Sequence, residues 1–69
     1  MLDAEQEEAT KLKLHELRLE HNDLDTVIDK LAKESFPDEL LMRRLKKRKL
    51  QLKDLIVKLE QALIPDILA

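Results

Sequence analysis

Ser35-Phe36-Pro37-Asp38 interrupts a chain that otherwise keeps helical spacing almost throughout. Pro37 has no amide hydrogen and its ring disfavours helical geometry at Phe36, so a helix arriving from the N-terminal side should end by about Ser35. The same proline suits the first turn of a new helix, where no donor is required. Ser35, with Asp38 three residues on, has the form of a capping arrangement. Asp38 and Glu39 would favour the positive end of the new helix dipole. Phe36 is the single aromatic residue of the chain. It is expected to plug the closed end of a hairpin against Leu31 or Leu40, a binding role being the lesser reading.

Working outward, a first helix is expected over about residues 4–34, a turn over 35–37, a second helix over about 38–64 and a tail over 65–69. Together they make one domain spanning residues 1–69. Asp3 and Gln6 form a plausible N-cap pair, and Glu5, Glu7 and Glu8 lie where a helix dipole favours acids. The first apolar seam runs Leu14, Leu17, His21, Leu24, Ile28, Leu31 in alternating steps of three and four, a heptad pattern. Upstream the same positions are Thr10, Glu7 and Asp3, so this end should be solvated. The second seam reads Leu41, Leu45, Arg48, Leu52, Leu55, Leu59, Ala62, widened by Ile56 and Leu63. Pro65 marks its end, and the apolar run Pro65-Asp66-Ile67-Leu68-Ala69 is expected to pack on something.

Folding about Pro37 sets Leu31 against Leu41 or Met42, Ile28 against Leu45, and His21 against Leu52. Leu17 then meets Ile56, and Leu14 meets Leu59. The fold class that follows is all-α: an antiparallel two-helix hairpin.

Composition narrows the rest. Charged residues make up 41% of the 69 residues and there is no glycine, a mix that favours long helices or coiled coils and argues against phosphate-cradling loops. Without cysteine there is no disulfide framework or thiolate metal site. The net charge of -2 gives no global pull toward nucleic acid or membrane. The acidic start lacks the apolar core of a signal peptide, and no run reaches transmembrane length. A cytoplasmic protein with no cofactor, no metal, no small-molecule substrate and no enzymatic activity is the expectation: neither a nucleophile–base set nor a pocket is visible.

Two stripes of apolar residues remain after the seam is formed. Leu12 and Leu19 lie seven apart on the face away from the first seam, and Leu50, Val57 and Ile64 repeat at seven on the second helix. A lone hairpin hides one stripe per helix, so these residues point to self-association, with two hairpins making a four-helix bundle and a dimer favoured. Docking on another helical protein is the alternative. Arg43, Arg44, Lys46, Lys47, Arg48, Lys49 and Lys53 form a basic run free of acids. It reads first as a solvated face opposite Glu20, Asp23, Asp25, Asp29 and Glu34. Its second reading is a polyanion or nucleic-acid contact through Arg43, Arg44, Lys46, Lys47, Lys49 and Lys53. The absence of interleaved aromatics weighs against the second. His21, one turn before Asp25, reads as a seam histidine that fixes register by hydrogen bonding. His15 points elsewhere, so a metal site is not expected.

His21-Asn22-Asp23-Leu24-Asp25, then Ile28 and Leu31, then Leu45-Lys46-Lys47-Arg48-Lys49-Leu50-Gln51-Leu52-Lys53-Asp54 together resemble the YdcH-like family of short bacterial proteins, a domain of unknown function. Leu63-Ile64-Pro65-Asp66-Ile67-Leu68-Ala69 looks like the ending of one branch. The likeness runs from about Leu14 to Ala69. Upstream, the chain has an acidic stretch where many members carry a Phe-containing segment. The resemblance implies a helical, coiled-coil-like protein and no assigned activity.

Overall fold

The computed structural model describes residues 2–63. Two helices, α1 (Ala4–Ala32) and α2 (Glu39–Leu63), pack antiparallel, with no strand among the described residues. Ile64, the stop expected at Pro65 and the apolar ending to Ala69 lie outside the described residues.

α1 starts as its sequence dictates. The Asp3 carboxylate accepts from the Gln6 amide at 2.7 Å, and the Gln6 side chain accepts from the Asp3 amide at 3.2 Å. That reciprocal pair satisfies two donors with no intrahelical acceptor. Glu5 and Glu7 add negative charge to the first turn.

The loop departs from the sequence expectation in three ways. α1 ends at Ala32, not near residue 34, and its last turn tightens: the amides of Lys33 and Glu34 donate to the carbonyls of Lys30 and Leu31, both at 3.2 Å. The exclusion imposed by Pro37 on Phe36 thus propagates back over most of a turn. The cap of α2 is Asp38, not Ser35. Its Oδ1 accepts from the Leu41 amide at 3.0 Å, and its carbonyl accepts from the Met42 amide at 2.9 Å. A carboxylate at that position satisfies the first-turn donors directly, which leaves Pro37 before the cap, half-buried, outside the first turn of α2.

Phe36 does not plug the hairpin; it is 93% exposed. With α1 ending early, the loop carries it beyond the last layer of the core. Ile28 and Met42 are the buried residues at this end, with Leu31 half-buried.

The α1 seam is the expected one: Leu14, Leu17 and Ile28 are buried, and His21, Leu24 and Leu31 are half-buried. On α2 the seam is rotated by one residue at every other position. Met42, Leu45, Lys49, Leu52, Ile56, Leu59 and Leu63 turn inward. Leu41, Arg48, Leu55 and Ala62, expected inside, are exposed. Steps of three and four still hold, so helical geometry is equally satisfied by either stripe. The inward set carries Met42 and Ile56 where the other carries Leu41 and Leu55, and it ends on Leu63 rather than Ala62, so it buries more apolar surface at the open end. Leu14, Leu17, Leu52 and Ile56 form one cluster, flanked by Leu24, Leu59 and Leu63.

This rotation has a direct measure. Leu52 is fully buried and Leu55 is 42% exposed. Leu52→Ala is expected to cost about 2–5 kcal/mol of stability, and Leu55→Ala about 1 kcal/mol or less. Urea unfolding followed by circular dichroism separates the two. Equal losses would place α2 in the other orientation.

Candidate interaction surface

Two cross-hairpin ion pairs stand one on each side of the seam. Arg18 Nη2 donates to Glu60 Oε2 at 2.7 Å, and Arg48 Nε donates to Glu20 Oε2 at 3.0 Å. All four side chains are roughly half exposed, so each pair contributes only about 0.2–1 kcal/mol. Their value is positional, since both are consistent with the register that aligns Leu14 and Leu17 with Ile56.

The third cross-hairpin pair lies at the seam. Lys49 Nζ donates to Asp25 Oδ1, and the lysine is the more covered of the two. The hydrogen bond from Lys49 and its positive charge hold the Asp25 carboxyl below the usual aspartate range, with a lesser push from His21. His21 itself makes no hydrogen bond among the described residues, and within the hairpin the partner of Asp25 is Lys49. The rotation of α2 is the reason. It brings position 49, not 48, to the seam, and a lysine there reaches Asp25 while its stem covers apolar surface.

The remaining acids assigned to the basic run, Asp23, Asp29 and Glu34, make no ion pair with it. Among the described residues Arg43, Arg44, Lys46, Lys47 and Lys53 have no salt-bridge partner, and all five are exposed. Only Arg48 and Lys49 of the run are neutralised across the hairpin.

Among the described residues nine large apolar side chains are exposed while six are buried. They fall on separate faces. By helical spacing Leu12 and Leu19 lie on the back of α1, opposite the seam. Leu50 and Val57 each follow an inward residue of α2 and lie along one flank. Val27, Leu41 and Leu55 each precede an inward residue and lie along the other. Phe36 and Leu40 stand at the closed end. The residues singled out for association, Leu12, Leu19, Leu50 and Val57, are therefore all exposed but do not share one face, and Ile64 lies outside the described residues. The second flank was hidden from the sequence because Leu41 and Leu55 were counted as core.

At the open end the Val57 flank is concave. An open groove of about 580 Å³ has Leu14, Val57 and Leu63 among its lining residues, with Glu7, Lys11, Arg18, Glu60 and Gln61 around them. Lys11 is held by Glu7 at 3.3 Å and Glu8 at 3.8 Å, and Arg18 by Glu60, so its cations are already paired. No signal in the sequence indicated this groove, because it is lined by residues of both helices rather than by a motif.

Among the described residues no cluster of three or more potential metal ligands occurs, and no helix is long and apolar enough to cross a membrane. Compared with known proteins, residues 14–60 match the family described as a protein of unknown function (DUF465). The match covers the seam of α1 and nearly all of α2 and stops short of Leu63, so the likeness seen in the ending has no counterpart in it. No curated protein and no solved structure matches the chain.

The Asp25–Lys49 pair can be tested by titration. A carboxyl whose pKa is depressed by folding contributes stability above the ordinary aspartate pKa, and that contribution disappears as pH falls through the lowered folded value. Lys49→Met is expected to raise the Asp25 midpoint toward the ordinary aspartate value, read from its side-chain carboxyl resonance. A midpoint unmoved by the substitution would remove the pair.

Proposed function

The chain belongs to the DUF465 family, the YdcH-like small bacterial proteins, and we propose that it works as a protein–protein interaction module whose first partner is a second copy of itself. One observation carries this: among the described residues only six large apolar side chains are buried while nine are exposed. A two-helix domain with so small a core, and with no cysteine to staple it, is under-stabilised alone. Exposed apolar side chains in continuous rows along helices are how such hairpins are completed, by packing into a bundle. Burial of Leu50 and Val57, and of Leu12 and Leu19 on the back of α1, would supply the missing core. Nothing among the described residues offers a nucleophile with a base or a converging ligand set.

A second reading rests on a separate observation. Arg43, Arg44, Lys46, Lys47 and Lys53 are exposed and have no salt-bridge partner among the described residues, so the strip can meet an external polyanion such as a nucleic-acid backbone. The hairpin has no exposed aromatic among these side chains for stacking, which makes any such contact electrostatic and sequence-independent.

Leu50→Asp is expected to weaken self-association by about tenfold or more, since it puts a charge into a desolvated contact. Sedimentation velocity over a concentration series reads this, and an unchanged mass distribution would exclude that flank. For the second reading, replacing Arg44 and Lys47 together by glutamate should abolish a mobility shift of labelled DNA or RNA seen at low salt. No shift by the wild-type chain at low salt would dispose of the strip as a polyanion site.

A further inference from the structure

We infer that two hairpins pair antiparallel along the Leu50–Val57 flank, so that Phe36 at the closed end of each enters the open-end groove of the other. The inference rests on the self-association reading and specifies its geometry.

Three observations on the molecule converge. The first is position. Phe36 is almost wholly exposed and is set beside the rigid start of α2, where Pro37 is half-buried and Asp38 caps the helix. It contributes nothing to the hairpin's own core, yet it is the largest apolar side chain of the protein. The groove lies at the other end of the hairpin, with Leu14, Val57 and Leu63 to receive an apolar group.

The second is symmetry. Leu50 is 68% exposed and sits close to the midpoint of α2 (Glu39–Leu63), on the flank where the groove opens. Phe36 and Leu63 lie nearly equal distances along the chain on either side of it, on the order of 20 Å at a helical rise. A two-fold axis passing beside Leu50 therefore brings each Phe36 level with the partner's Leu63 and Gln61. Leu50 then meets its own counterpart at the centre. The contact is isologous and closes at two chains. Inserting Phe36 into a groove without that two-fold axis would propagate head to tail.

The third is charge. Near the closed end α2 carries Arg43 and Lys46, which have no ion-pair partner among the described residues. At the open end the first turns of α1 carry Glu5, Glu7 and Glu8, which stay net acidic although Lys11 pairs with Glu7 and Glu8. Antiparallel pairing sets these opposite one another. Parallel pairing would stack base on base and acid on acid, which costs association and specificity.

The chain has no cysteine, so engineered thiols report the geometry cleanly. Ser35→Cys and Gln61→Cys are made separately in the full chain and mixed under mild oxidation. Residues 35 and 61 lie at opposite ends of one hairpin, far beyond disulfide reach, so a 35–61 bond can form only between copies. The expected result is a 35–61 heterodimer in preference to 35–35 and 61–61 products. Phe36→Ala should weaken the dimer by about tenfold or more while leaving the helix content of the dilute chain unchanged. The outcomes separate cleanly. A wild-type chain that sediments as a monomer at every concentration overturns the self-association reading and this inference with it. A dimer that forms 35–35 bonds, or forms no 35–61 bond, or is indifferent to Phe36→Ala, overturns the inference alone.

Discussion

One seam of side chains between two helices holds this chain in its fold. Among the described residues there is no second layer and no further helix pair to share the task, and without cysteine there is no disulfide. Every inward residue is therefore consequential, and Leu52 at 0% exposure most of all. The cluster of Leu14, Leu17, Leu52 and Ile56 lies toward the open end, while the closed end depends on Ile28 and Met42. The turn must hold these two groups in register. It does so through a proline that stops α1 and a carboxylate that starts α2, each a local backbone device independent of the core.

Electrostatics acts on this seam as a selector rather than as a source of stability. The half-exposed pairs Arg18–Glu60 and Arg48–Glu20 are individually weak, yet both are formed only when the helices are antiparallel and aligned as observed. Lys49 differs from them, being partly covered and tied to Asp25. A charged side chain at a seam position costs desolvation, and its best-attested use is to fix one alignment among several of similar apolar content. That use suits a helix as rich in leucine as α2, where sliding by a turn would still bury leucines.

The hairpin, the place of its break and the α1 seam were legible from residues 3 to 37, because a clean alternation of three and four stops at a proline; the details of the loop were not. α2 was not legible to the same degree. It has adjacent apolar pairs at Leu41-Met42, Leu55-Ile56 and Ala62-Leu63, and adjacent cations at Arg48-Lys49. Two stripes one residue apart then satisfy the same periodicity, and only packing against α1 chooses between them. Phe36 failed for another reason. Aromatic residues near a turn are expected to cover it, but the tightened end of α1 leaves no layer for it to cover. The exposed residues proposed for association could be named from spacing, whereas their distribution over two faces and the groove at the open end needed the orientation of both helices.

The misplacement of Phe36 and the rotation of α2 have a common consequence. Each leaves large apolar side chains on the outside: a phenylalanine at the tip, and Leu41 and Leu55 along one flank, 39% and 42% exposed. On α2 the inward stripe is the more apolar of the two at the open end, yet neither stripe can hide both members of an adjacent apolar pair. Met42 and Ile56 fill the seam, and their neighbours Leu41 and Leu55 stay outside it. With Phe36 and Leu40 at the closed end, they are apolar surface that this one seam has no room to cover.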